Sequence, residues 1–138
     1  MYTYLAGPIT GLTYKEATLW RNFAEAHLGN TLNPMRNVDN VWGDKLIGST
    51  DDDNPKTFYV RDLHDVKKAD IILANFTTVS KSGASSGTVF EVGYSKGRGH
   101  TIITAGPISN VPLFVKLASD IHFENYEEAV KYIAEFQG

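Results

Sequence analysis

Side chains that could do chemistry are concentrated in three short segments of the chain. The first is Tyr-Leu-Ala-Gly-Pro-Ile at residues 4–9, the second surrounds Asp62, and the third is Ser-Ser-Gly-Thr-Val-Phe-Glu at residues 85–91. Together they supply two carboxylates and a tyrosine hydroxyl, which are groups used in acid–base and covalent catalysis. The glycine and hydroxyl residues of the third segment add backbone donors that suit a small anion at the start of a helix.

Other kinds of catalytic centre find little support in the sequence. The chain contains no cysteine, which excludes disulfides, thiolate metal sites and cysteine nucleophiles. The histidines lack paired metal-ligand spacing, and the chain has neither a P-loop nor a Ser-His-Asp arrangement. Residues 93–99, Gly-Tyr-Ser-Lys-Gly-Arg-Gly, superficially match a dinucleotide fingerprint, but they end a predicted helix instead of following a strand. We therefore expect no metal and no cofactor.

Length, composition and charge narrow the class of protein. One domain spanning residues 1–138 is expected from a chain that is 42% hydrophobic and 21% charged. The formal net charge of -3 offers no large positive field for a polynucleotide, although a single nucleotide needs only a few local donors. The N-terminal residues lack the basic region of a signal peptide, and no apolar run reaches membrane-spanning length. We expect a cytoplasmic protein without a membrane partner.

Helical spacing of apolar residues predicts helices over residues 14–28, from residue 55 to about 69, over 87–97 and over 126–136. The first should bury Ala17, Trp20, Phe23, Ala24 and Leu28 and expose Lys15, Glu16, Arg21 and Glu25. The second should begin with Asn54 as N-cap and Pro55 at the first position. Its buried stripe should contain Val60, Leu63, Val66 and Ala69.

Short apolar runs predict five strands at residues 2–6, 31–34, 71–76, 101–104 and 121–123, and residues 35–53 read as a long loop with room for one helical turn. Alternation of strands and helices predicts a three-layer α/β/α domain with a parallel, flavodoxin-like sheet. Ligands of such sheets bind beyond the carboxyl ends of the strands. We therefore expect the site to gather residues that follow the first four strands.

One combination of motifs resembles a known family. Arg-Asp-Leu-His-Asp-Val-Lys-Lys-Ala-Asp-Ile-Ile-Leu-Ala at residues 61–74 is followed by Gly-Thr-Val-Phe-Glu-Val-Gly-Tyr at 87–94, and Tyr-x-x-Gly opens the chain at 4–7. This set resembles the nucleoside 2-deoxyribosyltransferases and the related deoxynucleoside 5'-monophosphate N-glycosidases. The resemblance covers nearly the whole chain and is most specific in the Gly-Thr-x-x-Glu-x-Gly-Tyr stretch.

The resemblance implies that Glu91 is the nucleophile that attacks the anomeric carbon and forms a glycosyl-enzyme intermediate. A carboxylate suits this role because the oxocarbenium-like transition state develops positive charge. An alternative is structural: if Thr88 were the N-cap of its helix, Glu91 would complete a capping box and satisfy a backbone donor.

The resemblance also implies partners for Glu91. Tyr4 would hydrogen-bond the nucleophile, although Tyr2 lies on the same face of the strand, and Asp62 would protonate the leaving base. Gly7, Pro8 and Ile9 would line the substrate site. Asp65 reads instead as a structural residue that pairs at the surface with Arg61 and Lys68, Asp70 as a turn or cap residue, and Arg36 as a solvated side chain that could also contact a base or phosphate.

Two positions depart from the deoxyribosyltransferase pattern. Ser85 stands where those enzymes have an aspartate that binds the sugar 5'-hydroxyl, and the monophosphate N-glycosidases carry a serine there. A neutral hydroxyl, with backbone donors from Gly87 and Thr88, would tolerate a 5'-phosphate. Asn110 is the nearest candidate for the asparagine or serine that a neighbouring subunit often donates, so the family analogy favours a homo-oligomer.

The sequence therefore predicts cleavage or transfer at the N-glycosidic bond of 2'-deoxynucleosides or their 5'-monophosphates, with a small-molecule nucleoside or nucleotide as ligand. Transferase and hydrolase differ in how far water is kept from the intermediate, which the sequence leaves open. A nucleotide-binding module of the same fold without turnover is the alternative from another functional class.

Overall fold

The computed structural model describes residues 1–48, 55–80 and 86–137. Its strands are β1 Thr3–Ala6, β2 Thr31–Leu32, β3 Ile71–Asn75, β4 Thr101–Ala105 and β5 Ile121–Phe123. Its helices are α1 Tyr14–His27, α2 Pro55–Lys68, α3 Ser86–Gly97, α4 Leu113–Ala118 and α5 Tyr126–Gln137, with a 3-10 helix at Ile108–Asn110. All five predicted strands and all four predicted helices are present, with ends that differ by a few residues.

The five strands form one all-parallel sheet in the order β2-β1-β3-β4-β5. This is the flavodoxin-like order, and it confirms the predicted fold class. Tyr4 of β1 pairs with Leu32 of β2 on one side and with Ile72 of β3 on the other. The strand order therefore reverses beside β1, which is where such sheets bind ligands.

Helices cover both faces of the sheet and create two separate cores. Because successive strand residues point to opposite faces, Tyr4 packs with Val66 of α2 and Val92 of α3, whereas Leu5 packs with Trp20 of α1 and Ile133 of α5. The residues of β3 are buried throughout, as expected of a central strand in a three-layer domain.

A third apolar cluster fills the space beside β2. Ala17 of α1 packs there with Met35, Trp42 and Ile47. The last three belong to the irregular segment 33–48, which forms hydrogen-bonded turns at residues 34–37 but no helix. The predicted long loop therefore packs in part against α1. Asn54, the predicted N-cap of α2, lies outside the described residues.

The helical pattern predicts burial wrongly at Arg21 and Val60. Arg21, predicted on the exposed face of α1, is fully buried, and Val60, predicted in the buried stripe of α2, is 59% exposed. The short helix α4 was not predicted, because its exposed side chains Leu113, Phe114 and Leu117 break the polar-face pattern that marks an amphipathic helix. Within the described ranges, none of the helices has the length and apolar composition needed to cross a bilayer.

Candidate active site

A cavity of about 570 Å³ opens at the carboxyl end of the sheet, beside the reversal in strand order. Segments that follow β1 and β2 form one side of it, and α2 and α3 form the other. The residues that line it are Tyr4, Gly7, Pro8, Ile9, Thr10, Arg21, Pro34, Met35, Val38, Trp42, Ile47, Gly48, Tyr59, Asp62, Leu63, Ser86, Gly87, Thr88, Phe90 and Glu91. The three chemistry-bearing segments of the sequence thus meet in one place.

Tyr4 and Glu91 are joined at the floor of this cavity. The Tyr4 hydroxyl donates a hydrogen bond of 2.5 Å to Glu91 Oε2. The helix that carries Glu91 begins at Ser86, so Thr88 lies inside its first turn and is not the N-cap. The capping-box alternative for Glu91 is therefore wrong, and its carboxylate has a tyrosine partner instead of a backbone donor at the helix start.

The surroundings of Glu91 shift its acidity. Burial raises the pKa of Glu91 to about 7, and the negative charge of Asp62 acts in the same direction. The hydrogen bond from Tyr4 and the charge of Arg21 oppose the rise in pKa. Burial and the nearby carboxylates raise the pKa of Tyr4 above its ordinary value. Tyr4 therefore stays protonated and donates to Glu91, and Glu91 exchanges its proton near neutral pH.

Asp62 supplies the second carboxylate of the cavity. Its side chain is 20% exposed, and its Oδ1 lies 3.5 Å from Arg61 Nε. Burial raises the pKa of Asp62 to about 6, against the lowering effect of Arg61. Two carboxyl groups with raised pKa values in one cavity are an arrangement found where one acts as base or nucleophile and the other as acid.

The predicted surface pairing of Asp65 is wrong. Asp65 is buried, and it accepts bonds of 2.5 Å and 3.0 Å from the two terminal nitrogens of Arg36. Arg61 donates to the backbone carbonyls of Arg36 and Pro34. These contacts hold α2 against the chain that follows β2, and so they fix the position from which Asp62 enters the cavity. The guanidinium of Arg36 is therefore paired with Asp65.

The turn after β1 passes close to the neighbouring strand. A Cβ atom on Gly7 would lie 2.7 Å from the carbonyl oxygen of Asn75 and 3.2 Å from the ring of Trp20. Only glycine allows this approach, which brings the backbone of Gly7, Pro8 and Ile9 to the cavity wall. Asp70 lies in a bend between α2 and β3, and its carboxylate accepts a bond of 2.8 Å from the backbone of Tyr2 across the fold.

Most of the cavity wall is apolar and was not identified from the sequence. Met35, Val38, Trp42 and Ile47 contribute to it from the segment after β2. Tyr59 and Phe90 stand at the opposite rim with ring centroids 6.0 Å apart. Residues 33–48 lack the regular spacing of apolar residues by which helices and strands are recognised in a sequence. Their contribution to the cavity wall is therefore visible only in the folded structure. The wall suits a flat, largely apolar ring.

The remaining predicted site residues differ in their placement. Gly87 and Thr88 line the cavity at the start of α3, whereas Ser85 lies outside the described residues. Asn110 is not part of the described cavity wall, because its amide donates to the carbonyl of Phe76 at 3.0 Å. Within the described ranges, no group of three or more histidine and acidic side chains is placed to hold a metal ion.

Solved structures with the same fold include two deoxyribosyltransferases. A 2-deoxyribosyltransferase from Bacillus psychrosaccharolyticus superposes with a TM-score of 0.68 at 17% identity, over 94% of this chain and 90% of that one. A 2-deoxyribosyltransferase from Leishmania mexicana gives 0.65 at 18% identity, over 97% of each chain. A conserved protein from Enterococcus faecalis V583 gives 0.68 at 11% identity, over 98% of each chain.

Sequence comparison identifies the family directly. No curated protein is significantly similar to the chain in sequence. The family model for nucleoside 2-deoxyribosyltransferase, however, matches residues 3–110, a range that includes Tyr4, Asp62 and Glu91 and most of the sheet. The chain therefore belongs to the nucleoside 2-deoxyribosyltransferase family.

Proposed function

We propose that the protein cleaves or transfers at the N-glycosidic bond of 2'-deoxynucleosides or their 5'-monophosphates, through a covalent glycosyl-enzyme intermediate on Glu91. The observation that carries the proposal is the 2.5 Å bond between Tyr4 and Glu91 at the floor of a cavity that also contains Asp62. Family membership supports the same class of chemistry.

The first half-reaction forms the intermediate. A carboxylate oxygen of Glu91 attacks the anomeric carbon as the bond from that carbon to the base nitrogen breaks, and the bonding electrons leave with the base. Asp62 in its protonated form gives its proton to the departing base, which prevents the base from leaving as an anion. Tyr4 holds the attacking carboxylate in place and lowers its pKa.

The second half-reaction releases Glu91. A second base or a water molecule attacks the anomeric carbon, the ester bond to Glu91 breaks, and Asp62 accepts the proton of the incoming nucleophile. Attack by a base gives a new nucleoside, and attack by water gives the free sugar. The apolar wall around Met35 and Trp42 supports base exchange, because it can hold a second planar ring while limiting the access of water.

The position of Gly87 and Thr88 supports the monophosphate N-glycosidase as a second candidate. Both line the cavity in the first turn of α3, where free backbone N–H groups favour an anion such as a 5'-phosphate. A neutral serine at position 85 also supports this candidate, because its hydroxyl would not repel a phosphate as a carboxylate would. A neighbouring subunit stays the expected source of any further polar side chain, as the family analogy suggests.

The proposal is tested by chromatography of purified protein with each deoxynucleoside and each deoxynucleoside 5'-monophosphate, with and without a second free base. New nucleoside would establish transfer, and free base with deoxyribose 5-phosphate from monophosphates alone would establish the N-glycosidase. Both products should vanish in the Glu91→Ala variant. No Glu91-dependent product from any substrate would contradict the proposal and would leave a binding module.

A further inference from the structure

Arg21 is buried beside the active site without a direct acidic partner. Its side chain has no exposed surface, and no carboxylate of the described residues forms an ion pair with it. Its Nε donates to the Leu5 carbonyl at 3.1 Å, its Nη1 to Ala17 at 2.6 Å and its Nη2 to Gly7 at 3.1 Å. The guanidinium also lies 4.6 Å from the ring centroid of Trp20.

A buried cation of this kind needs compensation from its surroundings, because neutral carbonyls alone do not repay the loss of water. Burial lowers the pKa of Arg21 to about 10, while Tyr4, Glu91 and Asp62 act in the opposite direction. Arg21 therefore keeps its charge at neutral pH. The negative groups that stabilise it are the carboxylates of Glu91 and Asp62, since Tyr4 stays protonated.

The same electrostatic coupling acts on Glu91. Ionisable groups reach Glu91 from three elements, namely Tyr4 from β1, Arg21 from α1 and Asp62 from α2. Of these, Asp62 disfavours the ionised form of Glu91, whereas Tyr4 and Arg21 favour it. Arg21 is the one positive charge in this set, and it lines the same cavity as Glu91.

We propose that Arg21 is a positioning residue of the active site, which stabilises the Glu91 carboxylate by its charge and holds the Gly7 turn by its hydrogen bonds. The proposal rests on the proposed function, since it assigns Arg21 to the preparation of the nucleophile. The two effects are separable. The charge acts on Glu91 through space, and the bonds to Leu5 and Gly7 act on the backbone that lines the cavity.

The test compares Arg21→Met with Arg21→Lys. Loss of the charge in Arg21→Met should raise the pKa of Glu91 by about 1. Because the pKa of Glu91 lies above that of Asp62, the inflection of the kcat/KM profile that moves with it should be the one at higher pH. Arg21→Lys keeps the charge but cannot donate to three carbonyls in a planar fork. It should leave the pKa of Glu91 near the wild-type value and raise KM, because the Gly7 turn is loosened.

The pKa of Glu91 is read without turnover, by NMR titration of protein with 13C-labelled glutamate carboxyl groups, and Glu91→Gln assigns the signal. Arg98→Met is the matched control, since Arg98 is an exposed arginine at the end of α3 and its removal should leave the titration unchanged. If Arg21→Met does not fold, Arg21→Gln gives the same comparison against Arg21→Lys.

The two proposals fail in different ways. A Glu91 signal that titrates at the wild-type pH in Arg21→Met or Arg21→Gln would overturn the role of Arg21, whatever the activity. A wild-type protein without turnover on any nucleoside or nucleotide would overturn the proposed function, whatever the titration. The expected result has two parts. The pKa of Glu91 rises in Arg21→Met and Arg21→Gln but not in Arg21→Lys, and KM rises in Arg21→Lys.

Discussion

The Tyr4 hydroxyl and the Glu91 carboxylate are 2.5 Å apart, although 87 residues separate them in the sequence. The contact exists because β1 lies at the reversal of strand order and α3 begins beyond the end of β3. Tyr4 belongs to the face of β1 that packs under α2 and α3, so its ring reaches the cavity floor. The sheet topology thus builds the pair on which the proposed chemistry depends.

Removing this bond should impair the nucleophile in a measurable way. Tyr4→Phe should reduce kcat by about 10- to 100-fold, as expected for a hydrogen bond to a charged group worth about 1.5–3 kcal/mol. Because the Tyr4 bond lowers the pKa of Glu91, the inflection of the kcat/KM profile at higher pH should also move upwards. Tyr2→Phe is the control on the same strand, and equal losses in both variants would contradict the assignment.

The dependence of kcat/KM on pH should be bell-shaped. The active form has Glu91 ionised and Asp62 protonated, and because the pKa of Glu91, about 7, lies above that of Asp62, about 6, this form is a minority at every pH. The profile should therefore rise to an inflection near pH 6 and fall beyond an inflection near pH 7. Asp62→Asn should lower the rate by about 10²- to 10⁴-fold and abolish the alkaline limb. The exposed Asp70→Asn serves as control. An alkaline limb that survives in Asp62→Asn would exclude Asp62 as the acid.

The raised pKa of Glu91 should also destabilise the folded protein at high pH. The pKa rises from 4.5 to about 7 on folding, so below pH 4.5 both states are protonated and the effect is absent. It grows as the pH passes from 4.5 to 7 and is complete above 7, where it is on the order of 3 kcal/mol.

Glu91→Gln should therefore be more stable than the wild type at pH 8, and this gain should shrink towards pH 5. Urea unfolding at both pH values measures the difference, with the exposed Glu135→Gln as a control that changes neither. Equal stability of Glu91→Gln and wild type at pH 8 would contradict the raised pKa, because it would mean that the buried charge of Glu91 does not destabilise the fold.

The pair formed by Arg36 and Asp65 should respond unequally to removal of its two members. The side chain of Asp65 is 5% exposed and that of Arg36 is 36% exposed. Arg36→Met leaves the buried Asp65 carboxylate without its partner and should lower the free energy of unfolding by about 3 kcal/mol. Asp65→Asn lets Arg36 turn to solvent and should lower it by about 1 kcal/mol. Unfolding by urea checks the order, with Lys96→Met in the exposed pair with Asp120 as reference. The reverse order would contradict this account of the pair.

Periodicity and turn residues were enough to predict the layers, the strands and the flavodoxin-like order. They could not predict burial of polar residues, because a charge pattern does not reveal which carbonyls lie nearby. Arg21 looked like part of an exposed face, yet it reaches three backbone oxygens. Asp65 had suitable partners along its own helix, yet it pairs with Arg36 across the fold.

The candidate site was predicted only in part, because some of its residues belong to motifs and others carry no local signal in the sequence. Tyr4, Asp62 and Glu91 belong to recognisable motifs, and the structure brings them to one cavity. The apolar wall containing Met35 and Trp42 comes from an irregular segment without periodicity, so nothing local marks it. Asn110 comes only from the family resemblance; its amide donates to the Phe76 carbonyl, and its contact with substrate stays a prediction.

The most direct test of the central claim is detection of the covalent intermediate. The protein is mixed with a deoxynucleoside or its monophosphate, quenched in acid within a turnover, and digested for mass spectrometry. The account predicts a peptide that carries a deoxyribosyl group, or its 5-phosphate, on Glu91, and the adduct should disappear on addition of a second base or after longer hydrolysis. Turnover with no adduct on Glu91, or an adduct on another residue, would contradict it.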